Sequence, residues 1–244
     1  MNRLDGADLR EPWPDAPLLD VRAVVFDMDG LLLDSERLAL KALRLAGGGL
    51  GVDLPQCFCH LLIGVPVDTC RKLIAERYGD AVDADRLLQE SARQLDLLVD
   101  AGLLRMKPGV VELLDHLDAL GLPRAVATSS GRHKALGHLR TVGLLERFDF
   151  IVTRDEVARG KPHPDLFLLA AERLGVPPSR CLALEDSHNG VRAAHASGMP
   201  VIMIPDLLAI TEEMRSLCHG IRPSLEHVVP LLGVLPAVAR SLTG

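Results

Sequence analysis

The chain has 244 residues, 48% hydrophobic and 25% charged, with a net charge of −6. This length allows one large domain or a core with a smaller companion, and the composition excludes a disordered polypeptide. The acidic balance argues against nucleic acid, which is bound by clustered Lys and Arg, and no apolar run reaches the roughly 18–20 residues of a membrane span.

Residues 1–17 read as a tail. The segment is acidic and carries Glu11-Pro12-Trp13-Pro14, which is unlike a secretory signal. Order is expected from Leu18. Val21-Arg22-Ala23-Val24-Val25-Phe26 is a short, β-branched apolar run that ends in the polar turn Asp27-Met28-Asp29-Gly30, as a buried strand does. From Ser35 to about Leu104 the pattern is helical, with Leu87/Leu88, Ala92, Leu95 and Leu98/Val99 in register and no buried strand. Within it, Gly47-Gly48-Gly49-Leu50-Gly51 lacks the following Lys-Ser/Thr of a phosphate loop and is predicted to be a turn between helices. Cys57, Cys59 and His60 lack the second pair that a zinc site needs and read as core. The five cysteines have no framework spacing, which suits a reduced cytoplasm.

Alternation resumes after Lys107-Pro108-Gly109. Val110, Leu113, Leu114, Leu117 and Leu120 form a helical stripe that stops at Gly121. Arg124–Ala127 reads as a strand leading into Thr128-Ser129-Ser130. A second stripe runs from Leu166 to Leu174. Cys181–Leu184 reads as a strand leading into Glu185-Asp186-Ser187, and Val201–Ile204 as another, stopped by Pro205. Nearly continuous apolar strands alternating with helices predict an α/β fold, a Rossmann-like parallel sheet with helices on both faces. The division is then a core of residues 18–34 and 105–244 with an inserted α-helical cap at 35–104. Leu231 to Leu242 reads as a C-terminal packing segment.

Ligands of such sheets bind beyond the carboxyl ends of the strands, where the polar clusters converge. Asp27 and Asp29 are carboxylates two residues apart, Thr128 and Ser129 supply hydroxyl and N–H donors, and Lys161 sits in the stiff Gly160-Lys161-Pro162-His163-Pro164-Asp165 turn. Glu185 and Asp186 are a second acidic pair. Four acids on one rim call for a hard divalent cation such as Mg²⁺, and a cation with Lys161 and hydroxyl donors suits a phosphate. One carboxylate can attack phosphorus while another shuttles protons.

These clusters resemble, in order, the four motifs of the haloacid dehalogenase-like (HAD) hydrolases: Phe26–Glu36, Ala127–Ser130, Lys161–Asp165 and Leu184–Ser187. The resemblance spans Val21 to Pro205. Asn189–Ala194 with Ser197-Gly198-Met199 is similar to the branch of β-phosphoglucomutase, 2-deoxyglucose-6-phosphatase and pseudouridine-5′-phosphatase. The resemblance implies Asp27 as nucleophile, Asp29 as acid/base, and Thr128 with the Ser129 N–H as phosphoryl binders. It implies Lys161 as charge neutraliser and Mg²⁺ held by Asp27, the Asp29 carbonyl and Asp186. Glu185 is then a ligand, a partner of the ligands or a structural acceptor. Asp34 and Ser35 are expected to cap the first inserted helix, Asp165 to anchor the loop under Lys161, and His163 and His188 to flank the site. Where the mutase carries a cap Lys, a cap Arg and a His, this chain has Ile63, Val67 and Ala39. The expectation is a Mg²⁺-dependent phosphatase of a small phosphorylated metabolite in the cytoplasm. A hexose-phosphate mutase and a catalytically silent phosphometabolite-binding protein are the alternatives.

Overall fold

The structure is a computed structural model describing residues 20–62, 65 and 67–233. The expected tail at 1–17, Ile63 and the packing segment beyond residue 233 lie outside the described residues. Six strands form one parallel sheet in the order β3-β2-β1-β4-β5-β6. They are β1 (Ala23–Phe26), β2 (Arg124–Ala127), β3 (Phe150–Val152), β4 (Cys181–Glu185), β5 (Val201–Met203) and β6 (Gly220–Ile221).

Strand periodicity divides the core between the two faces. Val24 and Phe26 of β1 point into one apolar cluster with Leu182, Leu184 and Ile202, which is covered by α5 (Val110–Leu120) and α6 (Arg132–Thr141). Ala23 and Val25 point into the other with Ala125, Ala127 and Ala183. That face is covered by α7 (Asp165–Leu174), α8 (His188–Ala196) and α9 (Glu212–Leu217). Every β1, β2 and β4 residue is buried, as a doubly covered parallel sheet requires. The helical stripe expected to stop at Gly121 does so, with Gly121 in the left-handed region at φ 63°.

Between β1 and β2 lie α1 (Ser35–Gly49), α2 (Gln56–Leu61), α3 (Val67–Tyr78) and α4 (Ala84–Asp100). These helices enclose a third apolar cluster containing Leu43, Ala46, Phe58, Ile74 and Leu87. The Phe58 and Tyr78 rings meet edge to face at 5.3 Å. The segment joins the sheet through two adjacent crossings, where the Asp34 N–H donates to the Arg105 carbonyl and the Lys107 N–H to the Leu32 carbonyl, both at 2.9 Å. No helix among the described residues is long and apolar enough to cross a membrane.

Four readings need correction. Of Cys57, Cys59 and His60, read as core, only Cys59 is buried and the other two are exposed. The glycine run is not a turn throughout: Gly47, Gly48 and Gly49 finish α1, and the left-handed residue is Gly51. Gly47 is small for a packing reason, since a Cβ there would lie 2.7 Å from Leu54 Cδ1. Asp34 precedes α1 without a side-chain cap bond, and Ser35 caps nothing because its hydroxyl is used elsewhere. Finally, β3 and β6 were not expected. They are short edge strands, and Phe150 is 38% exposed, so neither shows the continuous apolar signature of the central strands.

Gly109 has φ 81°, and a Cβ on it would fall 2.3 Å from the Glu226 backbone nitrogen. Gly109→Ala is therefore expected to cost about 2 kcal/mol of unfolding free energy. Urea denaturation measures this, and an unchanged midpoint would contradict the tight contact between the start of α5 and residues 225–226.

Candidate active site

The parallel register sets the site. Phe26 pairs with Leu184 across β1 and β4 and with Val126 across β1 and β2. The next residues, Asp27, Glu185 and Ala127 with Thr128, thus arrive side by side at one rim. The chain order reverses between β1 and β4, which is where a ligand crevice opens in such sheets.

Lys161, from the turn before α7, reaches into this rim. Its side chain is 5% exposed, and its ammonium donates to Asp27 Oδ1 and, at 2.5 Å, to Glu185 Oε1. Its Nζ also lies 5.0 Å from the Phe167 ring centroid. Burial works against the charged ammonium, but Asp27 and Glu185 outweigh it and hold its pKa above the ordinary lysine range. Asp165 steadies the same turn by accepting from Arg159 at 2.9 and 3.2 Å.

Glu185 is fully buried, and both its oxygens are engaged. Oε1 takes Lys161, while Oε2 accepts from the Asp186 N–H, the Ser187 N–H and the Ser187 hydroxyl at 3.1–3.2 Å. Its seat exists because residue 190 is glycine: a Cβ there would fall 1.9 Å from the carboxylate. Gly30 does the same for Asp186, whose Oδ2 would lie 2.2 Å from a Cβ on that residue. Gly30 has φ 89°, which independently favours glycine.

Asp27, Glu185 and Asp186 each present an oxygen within 4.8 Å of the others, all three are buried, and Asp186 Oδ1 has no hydrogen-bond partner. Burial, reinforced by the neighbouring carboxylates, raises Asp27 to about 8 and Asp186 well above the carboxylate range. An unsatisfied buried oxygen within a set of hard donors fits a divalent cation such as Mg²⁺.

Asp29 stands in a different environment. Its carboxylate accepts from Ser35 Oγ at 2.7 Å and Ser130 Oγ at 2.6 Å, and Lys134 Nζ lies 3.6 Å away. Burial opposes its charge, yet Lys134 and the two hydroxyls prevail and hold its carboxyl below the ordinary range. Thr128 is buried and its Oγ1 accepts from the Ser130 N–H at 3.0 Å. Asp27, Asp29, Thr128, Ser129, Lys161 and His163 line one cavity of about 760 Å³, open between the strand ends and the helical segment. Glu185 and Asp186 lie behind its floor. His188 turns away, its Nε2 lying 2.8 Å from the Ala209 carbonyl.

Sequence reasoning missed Ser130, Lys134 and Glu36 and assigned Ser35 to a cap. Ser130 and Glu36 close two of the motifs that carry the resemblance, whereas the role of Lys134 depends on tertiary placement alone. Glu36 is buried with Oε2 unpartnered, and burial, then Asp206 and the site carboxylates, raise it to about 8.

In metal-free protein Asp27 titrates near 8 when folded and near 3.8 when unfolded, so the folded state holds more protons between those limits. Unfolding free energy then falls as pH rises from about 4 to 8 and levels off above. Thermal melts in chelator should show this decline, and Asp27→Asn should make it shallower without abolishing it, because Glu36 and Asp186 are raised in the same direction. A wild-type midpoint constant from pH 5 to 8.5 would contradict the uncompensated carboxylate cluster.

Comparison with known proteins agrees with this geometry. The family described as haloacid dehalogenase-like hydrolase matches residues 21–198. A Drosophila melanogaster protein named "Probable pseudouridine-5′-phosphatase" is 35% identical over 226 residues, 90% of this chain and 96% of that protein. A Thermotoga maritima phosphorylated carbohydrates phosphatase is 34% identical over 179 residues, 73% of this chain and 82% of its own. Among solved structures, CbbY from Rhodobacter sphaeroides in complex with phosphate superposes with a TM-score of 0.70 at 28% identity, covering 85% of this chain and 96% of CbbY. With its strand-end carboxylates, buried lysine and sheet order in place, the chain belongs to the haloacid dehalogenase-like hydrolases.

Proposed function

We propose that the protein is a Mg²⁺-dependent phosphatase that hydrolyses a small phosphomonoester, a sugar phosphate or nucleoside-type 5′-phosphate, through an aspartyl phosphate on Asp27. The observation that carries this reading is the buried Lys161 ammonium shared by Asp27 and Glu185 at the floor of a cavity that Asp29 and Thr128 also face. Phosphatases among the relatives support it.

Asp27, the Asp29 carbonyl and Asp186 would hold Mg²⁺, with Glu185 beside them. When bound, the ion compensates the negative charge of the transferring phosphoryl group and of its carboxylate ligands. Lys161 fixes Asp27 Oδ1, which leaves Oδ2 as the attacking oxygen. As that oxygen bonds to phosphorus, the bond to the leaving oxygen breaks, and Asp29 gives its proton to the leaving group. Water then adds to phosphorus, Asp29 takes the water proton, and the phosphorus bond to Asp27 breaks to release phosphate. Asp29 rests as a carboxylate, so the proton it donates enters with the substrate; Ser35, Ser130 and Lys134 set it up for its later role as base. The Thr128 hydroxyl and the Ser129 N–H bind the phosphoryl oxygens. Residues 35–104 act as a cap over a core of 18–34 and 105–244, and closure would shed water from the cavity.

A mutase must grip a second phosphate. Ala39 and Val67, at two positions where the mutase carries His and Arg, line the cavity without charge, which favours water as the acceptor. With β-glucose 1-phosphate the expected product is free phosphate, and accumulation of glucose 6-phosphate would favour the mutase instead.

Asp27→Asn is expected to lower phosphate release by about 10⁴-fold or more, as loss of a nucleophile does. The check is release from p-nitrophenyl phosphate and a metabolite panel, with Mg²⁺ and with chelator. Unchanged turnover by the Asn variant excludes the covalent route, and a silent wild-type protein points to a binding role. Gly190→Ala pushes Glu185 off its seat and frees Lys161, and kcat should fall roughly 10²–10³-fold. Wild-type kcat in that variant would show that Glu185 does not position the lysine.

A further inference from the structure

We infer that the cavity selects singly phosphorylated esters whose leaving group is uncharged and presents the flat face of a heterocycle, as the nucleoside of a nucleoside 5′-monophosphate does, over bisphosphates and bare phosphorylated polyols. This deepens the phosphatase reading and rests on it.

The cavity of about 760 Å³ is the size that holds a substantial organic ligand, well beyond a phosphate alone. Its two walls differ in chemistry. The sheet-side wall is polar and carries the cations Lys134, Arg154 and Lys161 beside Thr128, Ser129 and Ser130. The facing wall comes from α1 to α4 and is formed by Leu40, Leu43, Cys59, Leu62, Cys70 and Leu88. Among the described residues, no Lys, Arg or His of this helical segment lines the cavity. Away from the rim, its polar groups are the Asp68 carboxylate and the Ser91 hydroxyl. Arg71, which follows the lining residue Cys70, is turned to Asp68 and Asp85.

The phosphoryl group is drawn to the sheet side, so the leaving group must lie against the leucines. A second phosphate or a carboxylate there would shed water with no cation to receive it and would meet Asp68. A bare polyol would trade hydroxyl–water bonds for contact with methyl groups. A flat heterocycle gains by burying its faces between Leu40, Leu62 and Leu88, and Ser91 with Asp68 can still accept or donate to its edge.

The test measures kcat/KM for phosphate release by the full-length protein with Mg²⁺. The substrates are uridine, pseudouridine and inosine 5′-monophosphates, ribose 5-phosphate, fructose 1,6-bisphosphate and p-nitrophenyl phosphate. The best nucleoside monophosphate should exceed ribose 5-phosphate by about tenfold or more, and the bisphosphate by a wider margin. A ratio near one, an inverted ratio, or no nucleotide turnover while another ester is cleaved overturns this inference and leaves the phosphatase standing. No release from any substrate overturns both. Leu88→Lys, checked for folding by its thermal melt, places an ammonium in the apolar wall. It should narrow the nucleotide-to-bisphosphate ratio by about tenfold, and Leu40→Lys provides the same test if the first variant does not fold. An unchanged ratio in the folded variant counts against the wall as the selector.

Discussion

The site depends on one buried ammonium. Lys161 is almost wholly removed from water, and a charge so placed is tolerated only when it is paired. Its partners come from the ends of two neighbouring strands, Asp27 after β1 and Glu185 at the end of β4. The parallel pairing of β1 with β4, the turn before α7 and the absence of a side chain at residue 190 must therefore all be correct together. Removing either carboxylate would leave the lysine underpaired, whereas removing the lysine would leave carboxylates crowded without a cation. Burial pushes Asp27 and Asp186 upward, and three carboxylates crowded against one lysine add to that effect.

Two carboxylates only two residues apart are thereby given opposite characters. Asp27 faces a lysine but shares it with Glu185 deep under the rim, and its burial dominates. Asp29 accepts two hydroxyl hydrogen bonds and has Lys134 nearby, and these overcome the cost of burial. Separation of the pKa values of adjacent acids by their surroundings is the physical means by which one motif can supply both a nucleophile and a proton carrier. The donors that hold Asp29 down come from α1, from the turn after β2 and from α6, so the contrast between the two carboxyls is a property of the assembled fold.

This explains what the sequence could and could not reveal. The central strands were legible because burial on both faces leaves an apolar run with a polar end, and Asp27, Thr128 and Glu185 stand at those ends. Lys161 was legible because its turn is stiffened by prolines. The edge strands β3 and β6 were not, since one exposed side and two or three residues leave no periodic signal. Lys134 reads as an ordinary helical lysine and Ser35 as a helix start; only their proximity to Asp29 gives them meaning. Gly190 likewise reads as a weak residue within a helix, where it costs about 1 kcal/mol relative to alanine. Its reason is Glu185, five residues earlier in the chain and directly under its Cα.

The helical segment is joined to this rim firmly but at few points. The loop after β5 supplies Asp206, whose side chain is 1% exposed and accepts from Lys107 at 2.7 Å and Arg37 at 2.8 Å. One carboxylate thus ties the crossing that leaves the sheet and the crossing that returns to it, next to the paired backbone of Asp34 with Arg105 and Lys107 with Leu32. α1 to α4 also carry an apolar cluster of their own, while Leu38 of α1 and Val99 of α4 join one of the two clusters that flank the sheet. Substitutions on the cavity side of those helices can therefore reshape the cavity wall without touching the strand register that pairs Lys161. The apolar wall and the lysine-bearing rim of the cavity thus come from different parts of the chain. The shared constraint is that both crossings keep their grip on Asp206.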